Sequence, residues 1–327
     1  MYDPNADLLT LEQISGARQV LQTSGLCYHT PVLHHVQTLC GLDSDIDLYL
    51  KLENMQNRGS FKIRGVVNQM AHIPDSAAQG QTQLISMSAG NFGKAFAYMV
   101  QQKGLKGTVF MPDTAPVNRA ELIKGYGLDV ERMPTSQLQP EVDKCVKEKH
   151  MHYLHPFDDI NLMAGHGSVG LEILEDVPDP DVVVVCCGGG GLLGGTAAAI
   201  KLSGRSDTRV YGVEPEGAPS MYESRKAGKP VGVQVKTIAA GLAPPYAGSN
   251  AYTHNMAFVE DVVLVSDDEI IAAVKRLFSR GLVVEPSGAA AFAALMSGKI
   301  PDVKGKKVVV VITGGNVTTQ ELSKICG

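Results

Sequence analysis

Lys62 lies in the run Gly59-Ser60-Phe61-Lys62-Ile63-Arg64-Gly65, the first place along the chain where a side chain is set up for covalent chemistry. Ser60 reads as a helix N-cap, which puts Lys62 in the first helical turn. There the positive end of the helix dipole and the neighbouring Arg64 both disfavour protonation of the amine. A partly neutral lysine is what imine formation with an aldehyde needs. Taken alone the pattern says little, because most lysines near helix starts are simply solvated.

Three turns supply possible companions: Ser88-Ala89-Gly90-Asn91-Phe92-Gly93, Gly188-Gly189-Gly190-Gly191 and Thr313-Gly314-Gly315-Asn316. Each follows an apolar run of strand character and precedes a helical or polar stretch. Ligands of open parallel sheets bind at the carboxyl ends of the strands, so all three turns could face one pocket. The glycine tetrad opens a helix, and its unhindered N–H groups with the positive helix end make a seat for a phosphate or similar anion. Two other readings fit the same residues. The glycines could serve close helix-sheet packing alone. Gly189 to Gly194 also satisfies G-x-G-x-x-G, with Glu214 closing the next strand at the distance expected for a ribose contact, which read by itself is a dinucleotide site.

The elements that must position these residues alternate. Apolar residues recur at helical spacing over 11–21, 61–70, 92–100, 120–126, 162–174, 192–202, 270–282 and 289–295. Short apolar or β-branched runs lie between them at 48–52, 84–87, 108–111, 182–187, 210–213, 262–265 and 308–312. Runs such as Val182-Val183-Val184-Val185 are apolar on both faces, which predicts parallel sheets covered by helices on each side. The stretch 81–153 holds three or four strand-helix units of its own and is read as an inserted domain. Pro244-Pro245-Tyr246-Ala247-Gly248-Ser249-Asn250 is rich in turn formers and reads as a surface or pocket-edge loop.

Composition narrows the partners. The 327 residues carry a formal net charge of −5 without a dense Lys/Arg run, which speaks against a nucleic-acid partner. No apolar run approaches membrane-spanning length, and the acidic start Met1 to Asp7 does not look like a signal segment. Six cysteines lack a C-x-x-C pair, so neither disulfides nor a zinc site are expected. The nine histidines, among them His34, His35, His150, His152 and His155, show no ligand spacing and read as surface or core residues. A small-molecule enzyme of the reducing cytoplasm, acting as a homodimer, is the expectation.

Ser60-Phe61-Lys62-Ile63-Arg64-Gly65, Ser88-Ala89-Gly90-Asn91, Gly188 to Gly191, Glu285-Pro286-Ser287-Gly288 and Thr313-Gly314-Gly315-Asn316 together resemble, in order and spacing, the fold-type II pyridoxal phosphate (PLP) enzymes. Within them the chain is most similar to the single-domain threonine/serine dehydratases and serine racemases. The resemblance spans about residues 30–316 and displaces the dinucleotide reading. It implies a tryptophan synthase β-like α/β fold of two parallel-sheet domains with the cofactor between them. Residues 1–80 and 154–327 would form the large PLP-binding domain and 81–153 the small inserted one.

Carried onto this sequence, the resemblance implies that Lys62 binds the cofactor aldehyde beside Phe61, and that Gly188, Gly189, Gly190, Gly191 and Leu192 hold the phosphate. Asn91 would hydrogen-bond the ring hydroxyl, Thr313 with Gly314 would meet the pyridine nitrogen, and Glu285 would stand against the cofactor. A hydroxyl at the nitrogen does not keep it protonated as a carboxylate does, which favours prompt loss of a β-leaving group over a long-lived carbanion. Ser88, Ala89, Gly90, Asn91 and Phe92 match the loop for the substrate carboxylate, with Gly241 also at the substrate. Lys62 would take the α-proton and the phosphate would protonate the departing hydroxyl, giving a 2-keto acid and ammonia from L-threonine, L-serine or a related β-hydroxy amino acid.

Three departures qualify this. Ala89 replaces the second serine that gives serine racemases an acid/base on the other face, so dehydration is favoured over the racemase alternative. A catalytically silent nucleotide or amino-acid binder is the alternative from another class. Phe92 stands where many relatives carry histidine, turning the wall apolar toward a substrate with an apolar β-substituent. The family's cation site falls at Glu214 and the carbonyl of Ala218, but Ser220 replaces the expected carboxylate, leaving fewer charged oxygens for Mg2+, Ca2+ or K+.

Overall fold

A computed structural model describes residues 8–38, 40–42 and 45–327; the acidic heptapeptide 1–7 lies outside the described residues. The helices in chain order are α1 (Leu11–Ser24), α2 (Lys62–Ala71), α3 (Asp75–Ala78), α4 (Asn91–Gln102), α5 (Val117–Lys124), α6 (Thr135–Lys149), α7 (Ile160–Asp176), α8 (Gly191–Leu202), α9 (Ser220–Ala227), α10 (Ser249–Phe258), α11 (Asp267–Phe278), α12 (Pro286–Met296) and α13 (Thr319–Cys326). The strands are β1 (Val32–Leu33), β2 (Asp47–Leu52), β3 (Leu84–Met87), β4 (Gly107–Pro112), β5 (Asp129–Met133), β6 (His152–Tyr153), β7 (Val182–Cys186), β8 (Arg209–Pro215), β9 (Asp261–Val265) and β10 (Lys307–Ile312).

Two sheets result. One runs β1-β2-β10-β7-β8-β9, parallel except for the short β1 edge, and the other runs β5-β4-β3-β6, wholly parallel. The doubly apolar runs behave as expected of strands covered on both faces. Val182 and Val184 pack with Leu277 and Phe292, whereas Val183 and Val185 pack with Met163, Leu193 and Ala197 on the opposite face. Helix α2 leaves the larger sheet after β2 yet buries Ile63, Val66, Val67 and Met70 against Leu84 and Phe96 of the smaller unit. It therefore ties the two sheets together at the start of the Lys62 helix. Among the described residues no helix is long and apolar enough to cross a membrane.

Two local expectations need correction. Ser60 does not cap α2: its buried hydroxyl has no hydrogen-bond partner, because its backbone is extended and bridges Gly314, and the residue before the helix is Phe61. Arg64 does not lean on Lys62 either. Residues two apart on a helix do not face each other, and Arg64 points into a buried ion cluster. Its guanidinium donates to both oxygens of Glu53 (2.8 Å each) and of Glu172 (2.6 and 2.8 Å). Lys51 joins through Glu172 at 2.8 Å and Asp176 at 3.0 Å. Burial pushes the Glu172 carboxyl up, but Arg64 and Lys51 pull it down further, so it stays ionised.

This cluster fixes α2 against β2 and α7. Arg64→Met should cost roughly 3–5 kcal/mol in urea unfolding of the purified protein, because it leaves Glu53 buried without its counter-charge and Glu172 with Lys51 alone. A loss below about 1 kcal/mol, the size of an exposed ion pair, would contradict that role.

Candidate active site

The carboxyl ends of β3, β4, β7 and β10 converge on a cavity of about 910 Å³. Its wall contains Phe61, Lys62, Ser88, Ala89, Gly90, Asn91, Phe92, the four glycines 188 to 191, Leu192, Gly241, Glu285 and Thr313. Gly314 stands just behind the wall: a Cβ there would touch the Asn91 amide at 3.2 Å and press into Glu285. Nearly every residue singled out in the sequence thus meets at one place. Glu214, Ala218 and Ser220 do not line it.

Lys62 is the first residue of α2 and projects into the cavity, where its Nζ donates to the Pro156 carbonyl at 2.7 Å. The rings of Phe61 and Phe92 flank it, with centroids 5.2 and 5.7 Å from the amine. Enclosure by protein brings its pKa down to about 7, and burial alone is the cause. The direction matches the sequence reading, but the reason differs from the one inferred there. Glu285 shows the converse: burial pushes its carboxyl up to about 7, so it carries a proton part of the time near neutrality.

The glycine tetrad is a cradle that only glycine can build. Gly190 has φ +93 and is the N-cap of α8, so the first amides of that helix point outward with no acceptor of their own. A Cβ on Gly189 would enter the Phe157 ring, one on Gly190 would meet Met221 at 2.5 Å, and one on Gly191 would strike the Phe157 carbonyl. An oxyanion ringed by amides at a helix start is the ligand such a surface suits.

The loop after β3 is organised by Ser88, whose hydroxyl accepts from the amides of Gly90 (3.2 Å) and Gly93 (3.1 Å). Asn91 opens α4; its Nδ2 donates to Glu285 and its Oδ1 accepts from Asn316 at 2.8 Å. Phe92 has two roles at once, lining the cavity while stacking on Phe96 at 6.2 Å within the core of the smaller unit. Cys186 also reaches the cavity wall; burial pushes its thiol up to about 11, and that of Cys187 further.

Several wall residues were not foreseen. Pro156 and Phe157 come from the β6–α7 connection, which Asp158 pins by accepting from the amides of Ser249 (2.8 Å) and Ala251 (3.1 Å). Asp159 caps α7. The only local signal was a proline beside two aspartates. Tyr246, from the loop expected at the pocket edge, packs on Phe157 at 5.5 Å. Glu214 is occupied elsewhere: its carboxylate accepts from the amides of Met221 (2.8 Å) and Tyr222 (2.9 Å) and from Ser220 (3.2 Å), at the start of α9. That arrangement uses the carboxylate as a helix-end acceptor, and among the described residues no three His, Cys, Asp or Glu side chains gather as a metal site.

Two largely parallel sheets with an enclosed lysine of lowered pKa, a glycine-lined helix start and a serine-organised helix start at one cleft define an α/β enzyme of the fold-type II, cofactor-dependent kind. The chain belongs to the family of pyridoxal-phosphate dependent enzymes, which it matches over residues 24–314. It is 35% identical to an L-threonine ammonia-lyase of Thermotoga maritima over 97% of this chain and 78% of that protein. It is 37% identical to a catabolic L-threonine dehydratase of Staphylococcus aureus over 86% of this chain and 81% of that one. Among solved structures, the serine racemase of Dictyostelium discoideum superposes with a TM-score of 0.84 at 32% identity, covering 95% of this chain and 99% of that one. The processed threonine deaminase isoform 2 of Solanum lycopersicum gives 0.86 at 27% identity, covering 99% and 93%.

Pyridoxal phosphate fits the residues present, since the glycine cradle suits its phosphate and the lysine its aldehyde. Gly189→Ala should weaken its binding by roughly a hundredfold or more, the scale of losing two charge-assisted amide contacts. Absorbance titration of the apoenzyme measures this; unchanged affinity would mean that the anion sits elsewhere.

Proposed function

We propose that this chain is a PLP-dependent ammonia-lyase that converts L-threonine or L-serine to the 2-keto acid and ammonia. One observation carries the reading: an enclosed lysine amine of pKa about 7 shares a cleft with an amide seat for phosphate and a second amide loop for carboxylate. The relatives named L-threonine ammonia-lyase and dehydratase, at 35% and 37% identity, support the choice of substrate.

The cofactor, when bound, supplies an aldehyde for the substrate amine and a conjugated ring that accepts electron density from the α-carbon. In this assignment Gly188 to Gly191 and the start of α8 would hold its phosphate, and Asn91 would donate to the ring oxygen. Thr313 would present a hydroxyl to the ring nitrogen, and Phe61, Leu192, Glu285 and Gly314 would surround the ring. Ser88 and the amides of residues 89–92 hold the substrate carboxylate, and Gly241 backs it. Lys62 Nζ, partly unprotonated at neutral pH, takes the α-proton. Loss of the β-hydroxyl as water breaks the Cβ–O bond; hydrolysis of the released enamine returns one water and frees ammonia. Phe92, Phe61 and Phe157 exclude bulk water around the amine and offer an apolar wall to the β-substituent.

Ala89 distinguishes the reading from its nearest rival. Its methyl group cannot carry a proton to the face opposite Lys62, so racemisation lacks a second acid/base. The small inserted unit at 81–153, the cytoplasmic setting and the homodimer expected from the sequence belong to the same proposal; sedimentation velocity of the holoenzyme checks the last.

With L-threonine, the holoenzyme should release ammonia and 2-oxobutanoate in equal amounts, and Lys62→Ala should reduce that release to background. From L-serine, pyruvate should far exceed D-serine; abundant D-serine would overturn the preference for elimination. Threonine and serine should be used in preference to threo-3-hydroxyaspartate, whose second carboxylate meets the apolar Phe92 wall; the reverse order of kcat/KM would refute that wall's role.

A further inference from the structure

We propose that Lys94 is a positioning residue that, acting through Asn316, dictates which end of the Asn91 amide faces the cofactor ring. The inference rests on the assignment of Asn91 to the ring oxygen made above.

An amide side chain has a donor end and an acceptor end of nearly equal shape, and only its partners decide which way it points. A lysine ammonium can only donate. Lys94, half-buried on the first turns of α4, places its Nζ 2.6 Å from Asn316 Oδ1. The acceptor end of Asn316 is thereby committed to Lys94, and its Nδ2 must face the other way. There it meets two acceptors that agree with this orientation, the Arg58 carbonyl at 2.9 Å and Asn91 Oδ1 at 2.8 Å. With its own oxygen occupied, Asn91 has to turn Nδ2 toward Glu285. Of the two hydrogens on Nδ2, one goes to the Glu285 carboxyl and the second remains for the ring oxygen. Polarity is thus passed from one charge through two neutral amides.

The backbone holds the relay in place. Gly59, at φ +77, lies flat against the Asn316 amide, and a Cβ there would stand 2.5 Å from Oδ1. The Gly315 amide donates to the Gly59 carbonyl at 2.9 Å, so the turn that carries Asn316 is tied to the segment preceding Lys62. Without the Lys94 donor only the Arg58 carbonyl still favours this orientation, and reversal of Asn316 becomes far less costly. Asn91 would then present its carbonyl oxygen to Glu285 and to the ring oxygen, setting acceptor against acceptor.

Lys94→Met, Lys94→Arg and Asn316→Asp test this. The readouts are PLP affinity by absorbance titration, the visible absorption band of the loaded enzyme and the melting temperature of the apoenzyme. Losing one charge-assisted hydrogen bond sets the scale at roughly tenfold in affinity. Lys94→Met should lose about that much and shift the visible band, with an apoenzyme melting temperature close to the parent's. Lys94→Arg, which keeps a donor-only cation, should restore affinity and band. Asn316→Asp, which lacks both hydrogens of the relay, should be impaired at least as much as Lys94→Met. A Lys94→Met enzyme with parental affinity and spectrum overturns the proposal, and so does a Lys94→Arg enzyme as impaired as Lys94→Met. Failure of the cofactor reading looks different: the parent enzyme would then gain no pyridoxyl mass on Lys62 after borohydride reduction. If the parent loads but Asn91→Ala keeps the parental spectrum, the Asn91 contact itself is refuted, and the role of Lys94 falls with it.

Discussion

The placement of one amine at the start of one helix governs this structure. Lys62 has to enter the cavity from a helix whose remaining length serves the packing between two sheets, and the first two turns of α2 divide that work by direction. Lys62 faces the cleft, Ile63 and Val66 face the core of the smaller unit, and Arg64 is drawn the opposite way by Glu53 and Glu172. Because the guanidinium is held on two sides by buried carboxylates, rotation of α2 about its axis would expose several buried charges together. The geometry of the reactive end is therefore inherited from ionic contacts that never touch the cleft.

Much of the site was readable from local sequence because its parts are made of backbone. A phosphate seat needs consecutive residues without side chains ahead of a helix, and Gly188 to Gly191 supply that run directly before α8. The doubly apolar runs of β7 and β10 likewise announce strands covered on both faces. What stayed hidden depended on the third dimension. Pro156 receives the Lys62 amine across 94 positions of sequence, and no local pattern marks that pairing. β5 carries Asp129, Glu131 and Arg132 because it is the outer edge of its sheet, so its composition does not look like a strand. α13 is only eight residues long and lays just Leu322 and Ile325 on the rim of the core, too few apolar positions to stand out as a helical repeat.

The two misread details share a cause. Ser60 has the residue type of a cap and the extended backbone of one, yet its main chain is engaged in a bridge with Gly314, a residue more than two hundred positions away. Arg64 is close to Lys62 in sequence but not in space, since 100° per residue carries a side chain to the far side of the helix within two steps. In both cases the residue type carries the chemistry its sequence suggests, and the competing partner comes from elsewhere in the fold.

Cys186 and Lys62 share a wall, and their burial has opposite effects on them. An aldehyde entering the cleft meets two nucleophiles, sulfur and nitrogen. Enclosure holds the thiol protonated, with a pKa of about 11, while it frees the amine, with a pKa of about 7. At neutral pH the thiol stays almost wholly protonated, while a sizeable share of the amine is free. The same desolvation therefore acts as a chemoselective filter, steering an electrophile to nitrogen without any group dedicated to protecting the sulfur.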